Sequence, residues 1–220
     1  MARKIIGGVF QSLDGVMQAP GGPEEDPTGG FALGGWLTTL FDEGLGNQVD
    51  TLFSQPFDLL LGRKTYEIFA AHWPFMPADD PIASLFARIG KYVVTGSGIP
   101  LDWEGSHRLE SIEAVAALKA GDGPNLVIQG SSTLYPQLLQ HGLLDRVIAM
   151  TAPVVLGSGK RVFGAGTPPA AFKLVEHRLT SGGISMATYD VAGEVETGSF
   201  AMADPAPAEL ARREKLQREG

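Results

Sequence analysis

With 220 residues, 44% of them hydrophobic, the chain has the size of one globular domain with a sizeable core. A formal net charge of −8 excludes a broad nucleic-acid surface, which needs clustered Lys and Arg. The absence of cysteine excludes disulfides, thiolate metal ligands and cysteine nucleophiles.

The apolar run after Lys4 is broken by Gly7 and Gly8, too short for a membrane span and without a signal-peptide cleavage pattern. A cytoplasmic protein with no membrane partner is expected. Residues 4–10 read as a first strand, turned by Ser12-Leu13-Asp14-Gly15. Residues 18–35 are rich in Gly, Pro and acids, which suits either a functional lid or a disordered insertion. Over 36–53, Leu37, Leu40, Phe41, Leu45, Val49 and Phe53 recur at helical spacing and predict a helix.

Leu59-Leu60-Leu61 is a short apolar run of the kind found in strands covered on both faces. A helix follows over 65–71 and stops near Trp73-Pro74, and a short one is predicted over 82–89. Residues 92–94 form a strand ending in Thr95-Gly96-Ser97, and Ser111 caps a helix through 119. A third buried strand, 126–128, leads through Gln129-Gly130-Ser131-Ser132 into a helix over 133–140. Residues 146–152 are the next strand, 153–163 a glycine-rich crossover, and 172–179 with 184–191 a closing antiparallel hairpin. The fold class expected is α/β, with a mixed sheet, mostly parallel. Residues 1–192 form the domain; 193–220 change composition and read as a polar, mobile tail with room for a short helix.

Several familiar motifs fail. Gly157-Ser158-Gly159-Lys160 lacks the first glycine of a triphosphate loop, where Val154 stands, and has Arg161 where Ser or Thr would hold magnesium. No strand leads into Gly-x-Gly-x-x-Gly, and no Gly-x-Ser-x-Gly elbow occurs. His72, His107, His141 and His177 lack metal-ligand spacing, so no metal is expected.

Three strand ends carry one kind of chemistry: Gly62-Arg63-Lys64-Thr65, Thr95-Gly96-Ser97 and Gly130-Ser131-Ser132-Thr133. In open α/β sheets ligands bind outside the carboxyl ends of strands, and the free N–H groups of a helix start favour phosphate. Three such ends fit a dinucleotide, and Arg63 with Lys64 fit an extra ribose phosphate, favouring NADPH over NADH. Ordinary strand–helix turns use the same residue types, which is the competing reading.

These segments, with Ser12-Leu13-Asp14-Gly15 and the run from Ala152 through Gly157-Ser158-Gly159-Lys160-Arg161 to Phe163, resemble the dihydrofolate-reductase-like family over about residues 3–192. The branch is the one shared with the reductase domain of bifunctional riboflavin-biosynthesis deaminase-reductases. The resemblance implies a three-layer, NADPH-dependent reductase, often a homodimer, acting by hydride transfer on a small heterocyclic or carbonyl/imine substrate. Its type reaction is that of 5-amino-6-(5-phosphoribosylamino)uracil reductase; a non-catalytic NADP(H)-binding module is the alternative.

The resemblance also implies site residues. Gly62, Arg63, Lys64, Thr65, Thr95, Gly96 and Ser97 hold the adenosine end. Gly130, Ser131, Ser132, Thr133 and Leu134, with Gln129 beside them, hold the pyrophosphate. Many relatives have paired glycines where Gly130-Ser131 stands, and the riboflavin enzymes carry an acid near Gln129. Dihydrofolate reductases place a proton-donating acid on the helix before the Gly-Arg motif. Asp42, Glu43 and Asp50 lie in that region, and Asp42 is preferred, a solvated helix carboxylate being its other reading. Asp14 is a substrate-side candidate. Phe10 and Trp36 either stack on a flat heterocycle or pack in the core.

Overall fold

The computed structural model describes residues 3–201 and 203–219. Eight strands form one sheet: β1 (Ile5–Gln11), β2 (Phe57–Gly62), β3 (Lys91–Val94), β4 (Ser106–Leu109), β5 (Asn125–Gln129), β6 (Arg146–Thr151), β7 (Ala171–Leu179) and β8 (Ser185–Gly193). Their order across the sheet is β4-β3-β2-β5-β1-β6-β8-β7. The first six are parallel; β8 is antiparallel to both β6 and β7. The helices are α1 (Glu43–Phe53), α2 (Arg63–His72), α3 (Pro81–Arg88), α4 (Ile112–Ala120), α5 (Leu134–Gln140) and α6 (Pro207–Glu219).

Strand alternation divides the core. Leu60 of β2 packs with Leu126 and Ile128 of β5 against Ile112 and Val115 of α4 and Leu134, Tyr135 and Leu138 of α5. Leu59 and Leu61 point the other way, to Leu52 of α1, Tyr66 of α2 and Phe86 of α3. All three leucines are fully buried, each worth about 1.5–3 kcal/mol of apolar transfer. This is the three-layer α/β arrangement expected.

One expectation needs correction, one strand had no signal in the sequence, and one open reading is narrowed. The helix predicted over 36–53 begins only at Glu43, and residues 34–40 form turns instead. Asp42 is extended (φ −121°, ψ 174°) and caps α1 by accepting the Leu45 N–H at 2.9 Å, so the apolar spacing crosses a helix boundary and Phe41 is left exposed. Strand β4 was missed because Ser106-His107-Arg108-Leu109 has no apolar run, being an edge strand that pairs on one side only. The 18–35 stretch is folded rather than disordered. Gln18, Ala19 and Phe31 are buried, and Gln18 Nε2 donates to the Asp26 and Thr28 carbonyls at 2.8 and 2.9 Å. Beyond β8, α6 buries none of its side chains.

Candidate functional site

Strands β3, β2 and β5 are adjacent and parallel, so the three chemistry-bearing ends lie side by side on one rim of the sheet. Two of them are tied to each other. The Gly62 N–H donates to Ser131 Oγ at 2.9 Å, and the Ser131 N–H donates to Thr65 Oγ1 at 2.9 Å. Gly130 and Ser131 both take left-handed conformations (φ +64° and +57°), and a Cβ on Gly130 would lie 3.0 Å from Thr65 Cγ2. Only glycine takes that shape without strain, so Ser131 occupies a conformation better suited to glycine, held by its two cross-corner bonds.

These bonds alter the donor set. The Gly62 N–H is taken by Ser131, and the Leu134 N–H by the Ser131 carbonyl at 2.9 Å. The Leu134 side chain lies in the core, so neither of its groups is open to a cofactor. Ser132 is half-buried and Thr133 exposed beside them, the Thr133 carbonyl accepting from Gln137 Nε2 at 2.8 Å. Helix α2 starts from Gly62, which supplies no side-chain cap, so its first-turn amides stay open to an outside acceptor. Arg63 grips both carboxylate oxygens of Glu67 one turn on, at 2.9 Å each, while exposed Lys64 faces a cleft. At the third corner Thr95 Oγ1 bonds Ser97 Oγ at 2.8 Å and accepts the Ser97 N–H at 3.1 Å, with Gly96 exposed between them. Arg108 of β4, not anticipated from sequence, donates its guanidinium to the Ser97 and Ile99 carbonyls and braces that turn.

Gln129 ends β5 nearly buried. Among the described residues its Nε2 has no partner, and it lies where a Cβ on Gly8 would come within 2.7 Å. This amide is, among those residues, a buried side-chain donor without a partner at this rim.

Two of the carboxylate candidates, Asp42 and Asp14, make structural bonds. Asp42 accepts the Leu45 and Gly182 N–H groups at 2.9 Å each and the Ser181 hydroxyl at 3.3 Å, and these bonds hold its carboxyl down at about 2. Such a group is ionised and engaged in capping α1 and holding the turn between β7 and β8. Asp14 accepts from Ser12 Oγ at 2.6 Å and from the Leu156 and Gly157 N–H groups at 3.0 and 2.9 Å, with Arg161 at 3.2 Å. The serine and backbone donors hold it well below the usual carboxylate range. It pins the Ser12–Gly15 turn to the loop at Leu156 and Gly157. Phe10 and Trp36, both half-buried, pack on the core beside Leu45 and Met150, and Trp36 Nε1 donates to the Gln18 carbonyl at 2.8 Å.

The cleft faced by Lys64 measures about 410 Å³. Gln18, Thr28, Gly29, Phe31, Ser158, Gly159 and Lys160 line it with Lys64. Among the described residues no three His, Asp or Glu side chains gather to hold a metal, and no helix is long and apolar enough to cross a membrane.

Known proteins bear on this geometry. Residues 3–186 match the family model of the RibD C-terminal domain. The chain is 31% identical over 168 residues to the uncharacterised protein YwjB of Bacillus subtilis (strain 168), covering 74% of this chain and 84% of that one. Its fold is similar to that of a diaminohydroxyphosphoribosylaminopyrimidine deaminase/5-amino-6-(5-phosphoribosylamino)uracil reductase from Thermotoga maritima (TM-score 0.56, 14% identity, 87% of this chain and 57% of that one). It is also similar to that of dihydrofolate reductase from Enterococcus faecalis, solved with NADP(H) and RAB-propyl (TM-score 0.52, 14% identity, 89% of this chain and all of that one). With its rim of clamped strand ends and a family match spanning most of its length, the chain belongs to the RibD C-terminal domain family.

Proposed function

We propose that the chain is an NADPH-dependent reductase of a small heterocyclic or carbonyl/imine compound. The observation that carries this is the open start of α2, with Arg63 and Lys64 on it, beside the clamped Gly130-Ser131 corner in a RibD C-terminal domain chain. The donor set fits a dinucleotide phosphate: uncapped amides, two cations and the Thr65 hydroxyl hydrogen, which its acceptor role leaves free. Bound NADPH would supply the hydride. Arg63 and Lys64 hold the extra ribose phosphate, the Thr95-Gly96-Ser97 turn borders the adenosine, and Gly130, Ser131, Ser132 and Thr133 shape the backbone along the pyrophosphate. Gln129 presents its unsatisfied amide at the inner edge of the rim.

The test is NADPH oxidation across pterins, aminopyrimidines and simple carbonyls. Turnover of any of them supports the reading; tight NADPH binding without oxidation favours a non-catalytic binding module. One observation favours that second reading: Asp14 and Asp42 are both engaged in structural bonds and offer no proton. A cytoplasmic homodimer completes the proposal, supported by the exposed Leu174, Val175 and Leu179 of edge strand β7. Sedimentation of the full chain as a monomer would refute the dimer.

A further inference from the structure

The loop from β3 to β4 passes the third rim corner with little to hold it. Among the described residues, 96–102 make no backbone–backbone hydrogen bond. Thr95 Oγ1 accepts the Ser97 N–H at 3.1 Å. Beyond that, one side chain reaches the backbone of this stretch: Arg108, which donates to the Ser97 and Ile99 carbonyls. Ile99 and Leu101 are partly buried against the core, whereas Gly96, Ser97 and Gly98 are exposed. A guanidinium suits this task, because its planar fork spans two acceptors and an ammonium does not.

The grip also sets the far side of the loop. Among the described residues no peptide bond is cis, so the carbonyl and N–H of the Ser97–Gly98 peptide point in opposite directions. With the Ser97 carbonyl turned to Arg108, the Gly98 N–H points away from it. That N–H has no partner among the described residues, and a Cβ on Gly96 or Gly98 would meet nothing within 4 Å. The loop thus presents a free donor on an unobstructed glycine edge.

We propose that Arg108 is a positioning residue for cofactor affinity. By holding the Ser97 and Ile99 carbonyls it aims the Gly98 N–H at the adenosine half of the dinucleotide, whose ring nitrogens accept hydrogen bonds. It acts through the loop and not on the extra ribose phosphate, so it serves NADPH and NADH alike, unlike Arg63 and Lys64. The inference rests on the reductase reading.

The experiment is calorimetric titration of the full chain with NADPH and with NADH, for wild type, Arg108→Ala, Gly98→Pro and the double variant. Proline removes the Gly98 N–H while leaving Arg108 in place. Each single variant is expected to lose about five- to tenfold in affinity, in the same proportion for both cofactors. The double variant should lose no more than either alone, because both changes undo one contact. Arg108→Lys should behave like Arg108→Ala, since one ammonium cannot span both carbonyls. A merely structural brace would instead lower the melting midpoint and let the two losses add. Affinities unchanged in Arg108→Ala, a loss confined to NADPH, additive losses, or full recovery in Arg108→Lys would each overturn the inference. If Arg108→Ala does not fold, Arg108→Lys takes its place in the cycle. Wild type binding neither cofactor would sink the reductase reading and this inference together; wild type and Arg108→Ala binding both cofactors equally well would sink this inference alone.

Discussion

Ser131 and Thr65, from different strand–helix corners, are joined by a 2.9 Å bond from the Ser131 N–H to Thr65 Oγ1, and Ser131 returns its own Oγ to the Gly62 N–H. The two corners are therefore one unit. Removing the Ser131 hydroxyl leaves the buried Gly62 N–H without an acceptor. Ser131→Ala should cost about 1–3 kcal/mol in chemical denaturation and weaken NADPH binding. Ser131→Gly loses the same bond but relieves the left-handed strain, so it should be the less destabilised of the two. Equal stabilities would remove strain from the account.

The Arg63–Glu67 pair is exposed on both sides, 40% and 45%, and competes with any phosphate for the guanidinium. Glu67→Gln should release Arg63 and raise NADPH affinity about two- to fivefold, leaving NADH unchanged. Conversely, Arg63→Ala with Lys64→Ala should weaken NADPH by about tenfold or more beyond any loss for NADH. Equal losses for both cofactors in fluorescence titrations would refute the ribose-phosphate assignment.

Where apolar residues recur inside one element, the sequence is legible. Leu59-Leu60-Leu61 marked a doubly covered strand, and Phe172 to Leu179 with its return strand marked the hairpin. Legibility fails where a residue's meaning depends on a distant partner. Nothing local in Asp14 reveals the Leu156 and Gly157 amides it meets 142 and 143 residues on, nor in Asp42 the Gly182 amide. Both therefore read as free carboxylates. Thr65 and Ser131 likewise read as independent ligand donors, whereas the sheet sets β2 beside β5 and lets them bond each other. Residues 157–160 match no phosphate-loop motif, while their position depends on Val16, Gln18 and Phe31 far earlier in the chain.

Asp42 sets a pH dependence. Its carboxyl is lowered from 3.8 to about 2, chiefly by the Leu45 N–H and then by the Gly182 N–H. A carboxylate depressed on folding stabilises above its unfolded value, and that contribution is lost as pH falls through the folded value. Wild-type stability should therefore drop between about pH 4 and pH 2. Asp42→Asn keeps the capping oxygen but not the charge, so its denaturation midpoint should be lower at pH 7 and vary less across that acid window. An unchanged slope would assign the acid sensitivity elsewhere.

Gly7 and Gly8 sit side by side in β1 yet should respond differently to alanine. At Gly8 the new methyl meets Leu52 Cδ2 at 2.6 Å and Gln129 Nε2 at 2.7 Å, the ends of two flexible side chains that can turn aside. At Gly7 it meets the Tyr135 ring, with Cε1 at 2.5 Å and the hydroxyl at 2.9 Å, and that ring is fully buried between α5 and the sheet. Gly7→Ala should cost about 1–3 kcal/mol and Gly8→Ala less. Combining Gly7→Ala with Tyr135→Leu should recover part of the loss, a coupling that a double-mutant cycle measures and that independent sites would not show. Among the described residues the Tyr135 hydroxyl has no partner in its buried position, and burial raises its ionisation well above the usual phenol range. Tyr135→Phe should therefore be neutral or stabilising, because it removes a buried polar group that makes no bond. A loss of more than about 1 kcal/mol in that variant would mean the hydroxyl is bonded in solution, and the packing account of Gly7 would have to change with it.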